Sequence, residues 1–369
     1  RSPAALHLCR LLNDAGLNVY GADSDPYSLT KASNSLKKFI LLPSAKFETN
    51  TYISKLNEII LTYKIDCIIP TCEETFYLSK KEKELKCPVF AGGFQHLEVL
   101  HNKNSFIQLA NNCGLPAPQT CELTNKAAEQ YSQLVNGFVV KRKFSRFSDH
   151  VIFGKSTEDI PHTLFEDAHA WIIQEKLTGI QYCSYSIAKE GKVVLHSVYK
   201  AEYTAGEGAS IHFQHESRAD IENFVQFIVD KLHYTGQISF DFIVNESNQA
   251  IPIECNPRTT SGIHLFGKEL VDYLLAKQNK VLYPKKETKF AISAAMLLYG
   301  YTNIKKTRDC KKWLKAFFTS PDTVFLMKDI KPFFYQYISL LHIWRDSRKN
   351  SVSVLTQSTY DICWDGEDF

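Results

Sequence analysis

Hydrophobic positions in the first third of the chain switch repeatedly between helical and strand spacing. Ala4, Leu8, Leu11, Leu12 and Ala15 recur on one helical face, with Ser2 as N-cap, Pro3 at the first helical position and Gly16 as the stop. Residues 17–23 and 39–42 read as strands, residues 52–63 as a helix and residues 67–70 as a further strand. This βαβ rhythm predicts a small parallel sheet with helices on both faces. Because the pattern opens on a helix, it calls for a strand before residue 1. A helix over residues 104–113 ends at Gly114 and is stopped by Pro116 and Pro118.

Beyond that point strands dominate. Residues 137–141 form an apolar run ending in Lys141, and residues 185–188 and 193–199 read as a pair joined across a turn containing Gly191. The run from Gly236 to Asn256 alternates apolar and polar residues on either side of Asn245-Glu-Ser-Asn-Gln249, which describes a β-hairpin. In that hairpin Asp241 falls opposite Ile253 or Glu254, and Glu254 and Asn256 share a face because side chains two apart point the same way. A pairing or bulge that aligns Asp241 with them gathers three oxygen donors. Such donors suit Mg²⁺, which takes one or two carboxylates plus nucleotide phosphates. Arg258 follows closely enough to face the same phosphates. By spacing alone a solvated acidic hairpin is an equal reading.

Glu254-Cys-Asn256-Pro-Arg258, preceded by the Asp241 strand, resembles the metal-binding signature of the ATP-grasp superfamily, in particular the carbamoyl phosphate synthetase large subunit and related carboxylate-amine ligases. The resemblance covers roughly residues 1–275. It implies an α/β chain with a Rossmann-like preceding domain (1–95), an ATP-grasp domain (96–282, with subdomains 96–170 and 171–282) and a mainly helical C-terminal extension (283–369). It also implies that Asp241, Glu254 and Asn256 hold two magnesium ions, with manganese as a substitute. Lys103 and Lys141 would reach the ATP phosphates. Gln174, Glu175 and Leu177 would border adenine, and Gln181 would stand where the family usually has a ribose-binding Glu. Arg258 would hold the acyl phosphate or its developing charge, Lys200 would contact ATP or the acyl phosphate, and residues 201–210, with Gly206 and Gly208, would form a mobile lid.

One stretch departs from the family. Residues 142–153 contain no glycine, where relatives wrap phosphate with bare backbone N–H groups. Ser145, Arg146 and Ser148 would have to supply side-chain donors instead.

The implied reaction is ATP-dependent activation of a substrate carboxylate and its coupling to an amine. The alternatives are activation of bicarbonate, as in carbamoyl phosphate synthetase or a carboxylase, and a non-catalytic ATP-binding regulatory module. A dinucleotide-binding dehydrogenase fares badly, since the opening helix carries no Gly-x-Gly-x-x-Gly.

Composition adds boundaries. At 369 residues, 44% hydrophobic and a net charge of +3, the chain is an ordinary globular protein with no polyanion-binding signature, so no nucleic-acid partner is expected. Its ten cysteines form no Cys-x-x-Cys pair, which fits a reducing cytoplasm and argues against structural zinc. No apolar run spans a bilayer and no signal-peptide pattern is visible, so no membrane partner is expected. Residues 301–350 carry eleven Lys and Arg against four Asp and Glu, interleaved with aromatics. They read as helices with apolar sides packed inward and basic sides in water, in preference to a docking site for an acidic carrier protein. Small-molecule carboxylate and amine substrates and a homodimer complete the expected partners.

Overall fold

The computed structural model describes residues 1–146, 151–205, 209–276, 280–304, 306–367 and 369. The opening helix is Pro3–Asp14, and Ser2 Oγ accepts from Ala5 N–H at 3.2 Å as its cap. Strands Tyr20–Asp23 and Lys38–Leu41 pair in parallel, and a separate parallel bridge joins Ile68 to Val89. Helices Thr49–Tyr63, Glu74–Lys80 and Phe94–His101 fill the rest of this region. The parallel βαβ expectation is met, although its strands are short.

Two antiparallel sheets follow. The smaller runs in the order Thr120–Glu122, Trp171–Glu175, Phe138–Arg142, Ile152–Gly154. Its inner face buries Phe138, Val140, Trp171 and Ile173 against helix Asn125–Tyr131. The larger sheet runs Ala250–Asn256, Gly236–Val244, Ile180–Lys189, Lys192–Lys200, His212–His215, Lys289–Ala291. Both of its faces are covered. Phe240 and Phe242 pack with Phe224 and Phe106 of helices Ala219–Lys231 and Lys103–Asn112, while Tyr185 and Phe213 pack with Ile263, Leu265 and Phe266. The turn between Lys189 and Lys192 places Glu190 and Gly191 at φ of 49° and 78°, the left-handed geometry that matches the twist of a tight hairpin.

The C-terminal third is helical but also contributes the edge strand Lys289–Ala291 to the larger sheet. It is tied back to the opening helix by a buried ion pair, Arg10 Nε to Asp329 Oδ2 at 2.9 Å. Here one expectation is reversed. Helix Lys331–Asn350 buries Pro332, Gln336, Ser339 and Ser347, while Phe334, Tyr337, Ile338, Leu341 and Trp344 are exposed. The helix packs against the short helices Leu29–Ala32 and Val354–Gln357, and Gln336 Nε2 donates to Phe333 O of its own helix at 2.7 Å. Among the described residues no helix is long and apolar enough to cross a membrane.

Candidate functional site

The hairpin of Gly236–Val244 and Ala250–Asn256 turns through Asn248 at φ +61°. Its register pairs Ser239 with Asn256 and Asp241 with Glu254, then shifts so that Phe242 faces Pro252. Ile253 is therefore the extra residue of a bulge, on an edge strand where Pro252, which lacks an N–H, is tolerated. The bulge decides what the sequence left open. Asn256 Nδ2 donates to Asp241 Oδ2 at 3.2 Å and to Glu254 Oε1 at 3.3 Å, so the three predicted metal-binding side chains share one face. Cross-strand pairing extends this row to Cys183 and Tyr199.

Two lysines converge on the same point. Lys103 opens its helix behind the N-cap Asn102, and its backbone N–H is held by Lys143 O at 3.0 Å. Its Nζ lies 3.1 Å from Ser145 O and 3.7 Å from Glu254 Oε2. Lys141 reaches across from the smaller sheet, donating from Nζ to Ile253 O at 3.2 Å, the carbonyl that the bulge leaves out of the ladder.

Burial pulls the Lys141 ammonium down to about 8, with Glu254 partly opposing the shift. Burial and then the neighbouring Glu254 carboxylate push Asp241 up to about 8. Burial would also raise Glu254, but Lys103 and Lys141 hold it down at about 2. One proton is thus retained by the pair, on the Asp241 side, because two carboxylates this close resist double ionisation.

Arg258 lies beyond Asn256 and donates to Asn256 Oδ1 at 2.7 Å. Its Nε is 3.7 Å from Glu73 Oε1, a carboxylate oxygen that also lies 3.0 Å from Arg146 Nε. Glu73 is fully buried and stands at the N-cap of helix Glu74–Lys80. Burial alone would raise its pKa, yet Arg146, His101 and Arg258 bring it below the ordinary value. Sequence reasoning missed Glu73. The available signal was a pair of acids, Glu73-Glu74, directly after an apolar strand and at a helix start. Cys183 and Tyr199 were missed as well, since they read as ordinary strand residues.

A cleft of about 1160 Å³ joins these groups. Val139, Lys141 and Phe153 of the smaller sheet line one side, and Gln181, Cys183, Tyr199 and Asp241 of the larger sheet the other. Glu175, Lys176 and Leu177 line it between the sheets. The N–H of Glu175 is taken by Gln119 O at 2.9 Å and that of Lys176 by Gly137 O at 3.1 Å. The Gln174 side chain is buried and donates to Thr120 Oγ1 at 2.8 Å, which ties the smaller sheet together.

Lys200 is a correction. Strand alternation turns its neighbour Tyr199 toward Cys183 and Asp241, so Lys200 projects from the opposite face and does not line the cleft. In the glycine-poor loop, Ser145 accepts from Lys103, and the Arg146 guanidinium lies against Glu73 and Cys72. Ser148 lies outside the described residues. In the expected lid, Thr204–Ala205 pairs antiparallel with Ala209–Ser210, while Gly206 and Gly208 also lie outside the described residues.

The family model for the ATP-grasp domain matches residues 100–262. No curated protein sequence matches the chain. Among solved structures, N5-carboxyaminoimidazole synthetase from Staphylococcus aureus has a TM-score of 0.62 at 13% identity, covering 80% of this chain and 82% of that one. L-amino acid ligase from Bacillus licheniformis has a TM-score of 0.56 at 16% identity, covering 75% and 73%. The biotin carboxylase domain of Hydrogenobacter thermophilus 2-oxoglutarate carboxylase, in complex with MgADP and bicarbonate, has a TM-score of 0.57 at 12% identity, covering 71% and 63%. The chain thus spans 63% of that domain, and 26% of the Rhizobium etli pyruvate carboxylase chain that shares the fold. At these identities the likeness is one of fold.

Proposed function

Since residues 100–262 are an ATP-grasp domain, we propose that this chain activates a substrate carboxylate with Mg-ATP and couples it to an amine, releasing ADP and phosphate. The observation that carries this reading is the convergence of Asp241, Glu254 and Asn256 with the two lysines Lys103 and Lys141 at one end of the cleft. The donor set fits magnesium: two hard carboxylates on one face with the Asn256 amide beside them, whose oxygen, now accepting from Arg258, would turn to the ion in exchange for the amide nitrogen that faces the carboxylates. Asp241, Glu254 and Asn256 would hold it. Once bound, magnesium supplies charge neutralisation on the phosphates.

The rest of the chemistry is positioning by this chain. Lys103 and Lys141 hold phosphate oxygens. A carboxylate oxygen of the substrate attacks the terminal phosphorus, and the bond to ADP breaks. Arg258, with Arg146 beside it, holds the resulting acyl phosphate and balances charge that builds on it. The amine nitrogen then attacks the acyl carbon, the carbon–oxygen bond to phosphate breaks, and the nitrogen loses a proton. The protein contributes no nucleophile. Glu175 and Leu177 border adenine, and residues 201–210 act as a lid that keeps water from the acyl phosphate.

ADP release against pools of amino acids and small organic acids, with mass spectrometry of the products, tests this reading. ADP formed only with an acid–amine pair, together with a product of their summed mass less water, is the expected result. Bicarbonate is the second acid to include, because carboxylases share the fold. ADP release with bicarbonate alone would move the assignment to a carboxylase-type reaction, and nucleotide binding without turnover in every pool would overturn the ligase reading.

The lid has its own test. Amide hydrogen exchange over residues 201–210 should slow when Mg-ATP and the acid are both bound. Equal protection with and without ligands would make the segment structural.

A further inference from the structure

Residues 361–367 cross the first domain and end against the arginine end of the site. Asp361 O accepts from Ser44 Oγ at 2.6 Å and from Lys46 N–H at 3.1 Å. Cys363 O accepts from Tyr77 Oη at 2.8 Å, and Asp365 pairs with Lys46 Nζ at 2.6 Å. Between these anchors the Trp364 ring is 3% exposed. It stacks on Phe76 at 4.7 Å and meets Phe144 edge-on at 5.0 Å. Gly366 also touches Phe144, at φ +92°, where a Cβ would come within 2.4 Å of the ring. Phe144 stands two residues before Arg146.

The decisive contact is made by the backbone. Trp364 N–H donates to Glu73 Oε2 at 2.9 Å. The other oxygen, Oε1, faces Arg146 Nε at 3.0 Å, Arg258 Nε at 3.7 Å and His101 Nε2 at 3.9 Å. His101 is fully buried, and burial depresses its ring to about 4, so it is neutral and the carboxylate serves the two guanidinium groups. A carboxylate that is free to rotate about its last bond would not hold two arginines in fixed positions. With one oxygen claimed by a main-chain donor on an anchored segment, rotation is blocked.

We propose that residues 361–367 are a positioning strap: through the Trp364 amide they fix Glu73, and through Glu73 they fix the guanidinium groups of Arg146 and Arg258 at the acid end of the site. The inference rests on the proposed function only in naming that end of the cleft as the seat of the acid and its phosphate. Glu73 and Trp364 are positioning residues. They act through the arginines and touch no substrate themselves.

The test uses the full chain and phenylglyoxal, which attacks guanidinium groups in proportion to their freedom, with peptide mass mapping of Arg146 and Arg258. Glu73→Gln keeps shape and the acceptor for Trp364 but loses the charge. Trp364→Pro removes the amide donor, and Trp364→Phe keeps it. Labelling of both arginines should rise by about fivefold or more in Glu73→Gln and Trp364→Pro, and stay at the wild-type rate in Trp364→Phe, since charge-assisted contacts are the ones being released.

Wild-type labelling rates in Glu73→Gln would overturn the proposal. If Trp364→Pro does not fold, Gly366→Ala, which pushes the strap off Phe144, takes its place: faster labelling supports the strap and an unchanged rate removes it. Labelling needs no turnover. A chain that binds Mg-ATP and ligates nothing would therefore sink the proposed reaction while leaving this inference standing, and the reverse outcome is equally distinct.

Discussion

Asp241 and Glu254 stand directly opposite each other on antiparallel strands, brought there by the bulge at Ile253, and they hold a single proton between them. Glu254 is kept anionic by Lys103 and Lys141, while burial and its neighbour leave Asp241 protonated up to about pH 8. Without a cation the pair is an electrostatic liability. Magnesium bound there would relieve it.

The pH dependence of stability follows from that relationship. The folded pKa of Asp241 is raised to about 8, well above the ordinary carboxylate value of 3.8. Between those values the native state holds a proton that the unfolded chain has lost, so this group's contribution falls as pH rises from about 4 to about 8. Asp241→Asn removes the group. The variant's unfolding free energy, from chemical denaturation in magnesium-free buffer, should exceed wild type by a margin that widens from pH 5 to pH 8 and reaches on the order of 2 kcal/mol. A constant margin would show that Asp241 is ionised throughout.

Glu254→Ala should abolish ATP turnover, a loss of about a hundredfold or more, with the circular dichroism spectrum unchanged. The variant takes one metal ligand and leaves Lys103 and Lys141 with no carboxylate nearer than Asp241. Turnover at the wild-type rate would refute the metal assignment.

Lys141 is held near pKa 8 by burial. Phosphate oxygens would restore its charge, so at pH 8 Lys141 should take up protons on Mg-ATP binding, opposite in sign to the protons that magnesium displaces from Asp241. Calorimetry in buffers of different ionisation enthalpy reads the net exchange, and the difference between wild type and Lys141→Ala isolates the lysine's share. Lys141→Ala should abolish the Lys141 part of it and weaken nucleotide affinity about tenfold or more, since a charge-assisted contact is worth about 1.5–3 kcal/mol. Unchanged affinity would assign the phosphate to other groups.

Asp329→Ala should destabilise the whole chain by about 3–5 kcal/mol, because it leaves Arg10 buried without its counter-charge. Asp329 also accepts from Ser33 Oγ and Asn34 N–H, so the loss removes the C-terminal third's hold on residues 33–34 as well. Chemical denaturation that shows the same midpoint as wild type would remove this clasp from the account of stability.

Local pattern carried much of the fold. The Ser2 cap, the helix before Gly114 and the turn at Gly191 all follow from rules that act within a few residues, and each appears where its residues call for it. The helix Lys331–Asn350 shows where such rules stop. Its apolar stripe gave no account of which side would pack inward, because the short helices Leu29–Ala32 and Val354–Gln357 that it meets are distant from it or follow it in the chain. Lys200 failed for a related reason. Position near the end of a strand was legible, but which of two alternating faces looks into the cleft depends on a partner strand far away in sequence.

By itself the sequence determined the hairpin, the oxygen-rich chemistry of Asp241, Glu254 and Asn256, and the presence of two lysines suited to phosphate. Each of these depends on residue type and short-range spacing. Tertiary structure alone decided the bulge that puts Asp241 against Glu254, the convergence of Lys103 and Lys141 on that pair, and the placement of Glu73 between two arginines under the Trp364 amide. Glu73 and Trp364 are 291 residues apart. No local pattern encodes a contact of that span, because it exists only after both segments have packed on the same core.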